Sequence, residues 1–139
     1  ASTLAGLAFS NCAVALVHAL EYPLGAVLHC SHGAGNGLLL PYVMRFNLPA
    51  KTAAFAKIAH LLGEDIRGAS ETEAAERSIV AVERLRENVG IPARIRELGG
   101  TRDQLPTFAA KAYAIKRLRD VNPRVPSEAD LLGILEAAF

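Results

Sequence analysis

From Ala1 to Glu21 the chain reads ASTLAGLAFSNCAVALVHALE, and only His18 and Glu21 in that run can carry charge near neutral pH. A helix built from it would be apolar on every side, which predicts an element covered all round at the centre of a bundle. The expected helix runs from about Ser2 to Tyr22 and stops at Pro23, which has no N–H to continue the backbone ladder. Its most apolar part, Ala13 to Leu20, is closely flanked by Ser10, Asn11 and Glu21 and is too short to span a bilayer. No basic stretch precedes it, so it does not read as a signal peptide. Natural domains seldom begin with their most buried element, and no Met precedes Ala1. The expectation is a piece of a longer protein.

The remaining punctuation is that of helices. No segment alternates apolar and polar residues over a useful length, and Ile79-Val80 falls inside a helical period. Gly33 to Phe46 reads as a second helix, with Pro41 an internal kink. Pro49 opens a third as an N1 proline, with Phe55, Ile58, Ala59 and Leu62 as its apolar stripe and Gly63 as its stop. Ser70-x-x-Glu73 is a capping box for a long helix whose stripe is Ala75, Ile79, Val82, Leu85 and Val89, ended by Gly90 and Pro92. A turn of helix over Ala93 to Leu98 leads to Gly99-Gly100, and Thr101-x-x-Gln104 caps a further short piece. Pro106 opens a helix with Phe108, Ala112 and Ile115 inward. Asn122-Pro123-Arg124 forces an extended segment, and Ser127-x-x-Asp130 starts a last helix with Leu131, Leu135 and Ala138 on one side. The fold class is therefore all-α, a helical bundle with short connections, in a chain of 139 residues that can bury a real core.

Fifteen Lys and Arg against 14 Asp and Glu leave a net charge of +1, so neither nucleic acid nor an anionic membrane is an expected partner. Cys12 and Cys30 form no C-x-x-C pattern; the alternatives are a disulfide and, favoured, buried free thiols of a reduced, cytoplasmic protein.

The chemistry concentrates in His18 to His32, HALEYPLGAVLHCSH, where a turn sets two imidazoles on facing helices. Neutral imidazole is a good ligand for Fe(II), Zn(II) and related ions. His32 lies at a helix start, where the dipole disfavours protonation and keeps a lone pair free. The alternative is a pair of satisfied core histidines, since the spacing is no specific motif. His29 forms H-x-x-H with His32 and is either a third ligand or a solvent-exposed loop residue. Tyr22 shares His18's helix face and could bind a substrate oxygen, pass a proton or simply pack its ring. Glu21 is either a partner behind a ligand or the polar end of the helix. Gly33, Gly35 and Gly37 lack the strand and the Lys-Ser/Thr of a phosphate loop, and read as small residues that let helices approach.

The run AFSNCAVALVHALEYPLGAVLHCSHGAGNGLLLPYVMRFN resembles the C-terminal half of the iron-containing (group III) alcohol dehydrogenases. That family has V-H-x-x-x-H-P-L-G, a turn, then H-G before a helix running to L-L-P-x-V-M-x-F-N. Here these are Val17-His18, Pro23-Leu24-Gly25, His32-Gly33, Leu39-Leu40-Pro41, Val43-Met44 and Phe46-Asn47. FAKIAHLLGED, NVGIPARIRELG and NPRVPSEADLLGILEAAF agree as well, so the resemblance covers essentially the whole chain.

The resemblance implies that residues 1–139 are a C-terminal all-helical metal-binding domain of the dehydroquinate synthase-like fold, incomplete and without the N-terminal NAD(P)-binding domain. Family members hold Fe(II), sometimes Zn(II), with one Asp and three His. His18 and His32 match two of these ligands, the other two being expected in a D-x-x-x-H helix upstream of Ala1. No residue here is assigned to the dinucleotide. The implied activity is hydride transfer between an alcohol and NAD or NADP, with the metal polarising the alcohol oxygen, in a homo-oligomer of the full-length protein. The family commonly has His where Tyr22 stands. A Tyr there is similar to the hydroxyacid-oxoacid transhydrogenase branch and makes Tyr22 the candidate catalytic side chain. The chain alone is expected to bind metal weakly and to be inactive. From another class, the alternative is a non-catalytic helical module with unmetallated histidines.

Overall fold

The computed structural model describes residues 2–139; Ala1, the expected first residue of the domain, lies outside them. Among the described residues every regular element is helical: α1 (Ser2–Cys12), α2 (Leu16–Leu28), α3 (His32–Asn47), α4 (Thr52–Leu61), α5 (Glu71–Asn88), α6 (Leu105–Ala114), α7 (Lys116–Arg119) and α8 (Glu128–Ala138). Short 3-10 turns join them at Leu48–Ala50, Ile95–Leu98 and Arg102–Gln104. The all-α expectation is met.

The first expected helix is two helices. The chain bends by 103° between α1 and α2, and Ala13 takes a left-handed φ of 62° at the corner. Ser10, Asn11 and Cys12 each send a side-chain donor back to the carbonyl four residues earlier. Such back-bonding weakens and bends a helix. The first half is also not the covered core that its composition implies. α1 buries none of its residues, and Leu4, Leu7 and Phe9 are exposed. Cys12 is exposed with it and Cys30 is half-buried; both are free thiols, neither fully buried as expected. No single helix among the described residues is long and apolar enough to cross a membrane.

Nor does Pro23 end a helix. α2 runs through it to Leu28 and closes only at His29, whose left-handed backbone (φ 52°, ψ 29°) serves as the C-cap. Packing outweighs the one backbone bond that proline removes. Leu16, Ala19, Leu20 and Leu24 are wholly shielded from solvent, and Pro23 is buried beside them. α3 likewise carries Pro41 inside, buried.

α2 packs on α3, α6 and α7, while α3 packs on α5 and α8 and α6 on α8. Leu16, Leu20 and Leu24 of α2 meet Leu38, Leu39 and Val43 of α3, Phe108 and Ala112 of α6, and Leu131 and Leu135 of α8 in one core. Asn47 and Asn122, both buried, exchange amide hydrogen bonds of 3.1 and 2.6 Å and fasten the end of α3 to the segment before α8.

α4 and α5 form a second packed pair. Glu64 pairs with Arg84, and Arg77 donates to the Asp65 carbonyl, so the loop between them is tied down. The stripe expected on α4 is only partly covered, with Ala59 buried but Ile58 and Leu62 exposed. On α5, Ala75 and Ile79 are buried, whereas Leu85 and Val89 lie open. Between α4 and the α2–α3 pair runs an apolar cleft of about 590 Å³, lined in part by Val17, His18, Leu40, Phe55, Ile58 and Leu62.

Candidate metal centre

His18 sits in the first turn of α2 and Tyr22 one turn later; His32 is the first residue of α3, behind the N-cap Ser31. The hairpin formed by α2 and α3 brings all three rings together. The His18 and His32 centroids are 5.2 Å apart, and Tyr22 lies 6.2 Å from His18, edge-on, and 6.0 Å from His32, stacked. Tyr22 is 40% exposed, so one side of this cluster faces outward. His18 also lines the apolar cleft, which Tyr22 and His32 do not reach.

Glu21 is the least exposed charged side chain in the cluster, at 3%. His32 Nδ1–H donates to its Oε2 at 2.7 Å. An ionised carboxylate can only accept, so the ring proton belongs on Nδ1 and the lone pair on Nε2. Asn36, one turn into α3, sits beside the ring: its Nδ2 lies nearly equidistant from Nδ1 and Nε2, at 3.3 and 3.2 Å, and donates to the His32 carbonyl at 2.9 Å. Burial holds His18 below the usual imidazole range, the neighbouring His32 imidazole lowers it further, and Glu21 works the other way.

Two adjacent imidazoles with free nitrogen lone pairs suit a borderline divalent cation. Two nitrogen donors fall short of a closed four-ligand sphere, and among the described residues no three His, Cys, Asp or Glu side chains are grouped to hold a metal ion. The donor set fits such an ion as part of its sphere only. His29 is not part of it; the residue is exposed at the helix cap. Cys30 is no activated thiol, because burial pushes its pKa up and the Glu21 charge adds to that.

Of the three glycines in HGAGNG, two do bring elements close. A Cβ on Gly35 would lie 2.8 Å from Glu21 Cγ and one on Gly37 2.7 Å from Ile91 Cδ1, whereas Gly33 has open space. Asn36 is the site residue that the sequence reading missed. Its only signal was a spacing of one helical turn from His32.

With this geometry in place, the comparisons with known proteins are specific. The Fe-containing alcohol dehydrogenase family, C-terminal, matches residues 1–139, and the chain belongs to that family. It is 41% identical over its whole length to 1,3-propanediol dehydrogenase of Klebsiella pneumoniae, covering 36% of that protein. It is 41% identical to NAD-dependent methanol dehydrogenase of Bacillus methanolicus, again over the whole chain and 36% of the relative. The crystal structure of a 1,3-propanediol oxidoreductase superposes with a TM-score of 0.94 at 40% identity, over 98% of this chain and 35% of the other. The chain thus spans little more than a third of the proteins it matches, and its fold is that of their helical part.

Proposed function

We propose that this chain is the C-terminal helical, metal-binding domain of a cytoplasmic NAD(P)-linked alcohol dehydrogenase or aldehyde reductase, with the nucleotide-binding domain outside residues 1–139. The observation that carries the reading is the His18–His32 pair at 5.2 Å, with Glu21 on Nδ1 of His32 and its Nε2 left as the donor. His18 and His32 would supply two ligands. A bound Fe(II) or Zn(II) supplies Lewis acidity, which lowers the pKa of an alcohol oxygen and favours loss of hydride to the nicotinamide.

The other tasks fall to this chain's own side chains. Tyr22, 40% exposed and in ring contact with both histidines, shapes the substrate side of the site and offers a phenol that can hydrogen-bond the substrate oxygen or relay its proton. The apolar cleft beside His18 gives that side of the site a mostly hydrocarbon lining. No residue of this chain is assigned to NAD or NADP.

The test is His18→Ala in the whole protein, with metal content measured by plasma mass spectrometry beside alcohol oxidation. Metal falls well below stoichiometric and turnover is lost by several orders of magnitude on the order of those seen for essential catalytic groups. Unchanged metal and rate would leave a non-catalytic helical module. Tyr22 also favours a second reading, a hydroxyacid-oxoacid transhydrogenase of the same family. In that case bound reduced cofactor is reoxidised by a 2-oxo acid without leaving the protein, which single-turnover fluorescence detects.

A further inference from the structure

A carboxylate inside an apolar helix is costly unless its charge is partnered. Glu21 is 3% exposed on α2, and the space it occupies has been cleared by glycines from two helices. A Cβ on Gly25 would stand 2.5 Å from Glu21 Oε1, and one on Gly35, in α3, would stand 2.8 Å from Glu21 Cγ. From this slot the carboxylate reaches across to His32 Nδ1 at 2.7 Å. α2 therefore carries His18 and, three residues on, the group that grips the histidine of the facing helix.

We propose that Glu21 is a positioning residue: it sets the tautomer and ring orientation with which His32 Nε2 meets a metal ion, and Gly25 and Gly35 are the slot that holds it in place. An acceptor on Nδ1 places the proton there, fixes the ring against rotation and raises the basicity of the other nitrogen. His32's ring is otherwise half open to solvent, with 58% of its side chain exposed, so packing alone does not orient it. The contact joins the two histidine-bearing helices at the point where both rings must present lone pairs to one ion. The proposal rests on the reading of His18 and His32 as ligands.

The test is Zn(II) affinity of the whole protein, stripped of metal and titrated against a chromophoric chelator at fixed pH. Glu21→Ala weakens binding by about 10–100-fold. Glu21→Gln, whose amide oxygen still accepts from Nδ1–H, loses less. Gly35→Ala leaves the carboxylate in the sequence but intrudes on Cγ, and weakens binding as Glu21→Ala does. If the shorter side chain prevents folding, Glu21→Met fills the slot without an acceptor and carries the same expectation. A readout independent of metal is the 15N spectrum of the His32 ring, which shows the Nδ1–H form in the parent and a tautomer mixture in Glu21→Ala. Parental Zn(II) affinity in Glu21→Ala or Glu21→Met, with binding lost in His18→Ala, overturns this proposal and leaves the metal reading intact. Parental affinity in His18→Ala as well overturns both.

Discussion

Helix α8 starts at Ser127, whose hydroxyl accepts from the Asp130 N–H while Asp130 reaches back to the Ser127 N–H and hydroxyl. Helix α2 starts at Ala15 with no side-chain cap, carries a proline in its middle and ends on a histidine in the left-handed region. α5 follows the first pattern through Ser70 and Glu73. α3, with a long 3.4 Å cap bond at Ser31 and Pro41 inside, is nearer the second. The local start signals of α5 and α8 are fully met, whereas α2 has no side-chain cap and α3 only a long one, so these two rest chiefly on packing. Such disagreement is expected where a site has to be built. A proline, a buried carboxylate and Cβ-free positions are accommodated in α2–α3, where His18, Glu21 and His32 come together.

The comparison is tested most severely in the core. Leu20 of α2 and Leu135 of α8 are both fully buried in the same cluster. Replacing either by Ala removes comparable apolar contact, within the range of about 2–5 kcal/mol for buried Leu→Ala. The capped α8 keeps its local stabilisation, so Leu135→Ala is expected near the lower end, about 3 kcal/mol, and Leu20→Ala near the upper, about 4–5 kcal/mol. Native-state hydrogen exchange on the whole protein reads each helix separately. Equal losses of protection in α2 and α8 would remove the distinction drawn between them.

How much could be read beforehand follows the same division. Ser70-x-x-Glu73 and Ser127-x-x-Asp130 form the reciprocal bonds that their spacing announces, and Gln104 reaches back to the Thr101 N–H, because a capping box is a contact within one turn of chain. The corner at Ala13 and the passage of α2 through Pro23 were not legible. The passage through Pro23 depends on what Leu16, Leu20 and Leu24 meet across the core, which no local pattern records, and the corner follows back-bonds from Ser10, Asn11 and Cys12 that compete with an otherwise apolar run. The proximity of His18, Tyr22 and His32 was legible as a hairpin of two helices. Glu21's grip on His32 remained one of two options, since it depends on Gly25 and Gly35 clearing one slot from different helices. Asn36 went unnoticed because an amide among glycines carries no chemical signature of its own.

Caps give the next, smaller effect. Ser127→Ala removes a 3.1 Å acceptor and the partner of Asp130, and is expected to cost about 1 kcal/mol. Ser31→Ala removes only the 3.4 Å contact to the Ala34 N–H, and about 0.5 kcal/mol or less is expected, since the bond is long and has no reciprocal partner. Urea unfolding of each variant against the parent, read at the transition that includes these helices, measures both. A larger loss at Ser31 than at Ser127 would mean that α3 relies on its cap as much as α8 does.

The smallest expected effect is electrostatic, and acid separates the two kinds of helix. The Ser127 hydroxyl, then its backbone N–H, hold Asp130 below the usual carboxylate range, with Arg124 adding to the shift; Ser70 does the same for Glu73. A carboxyl with a depressed folded pKa contributes stability that is complete above its unfolded value, near 3.9 for Asp and about 4.3 for Glu. That contribution is lost as pH falls through the lower folded value. Asp130→Asn keeps a side-chain oxygen to accept from Ser127 but removes the charge. Its Tm therefore lies slightly below the parent's at pH 7, and the gap closes as pH is lowered towards 2, because the parent then loses the same charge. A gap that stayed constant over this range would assign the box's stabilisation to hydrogen-bond geometry alone, and α8 would then differ from α2 in its cap but not in its response to acid.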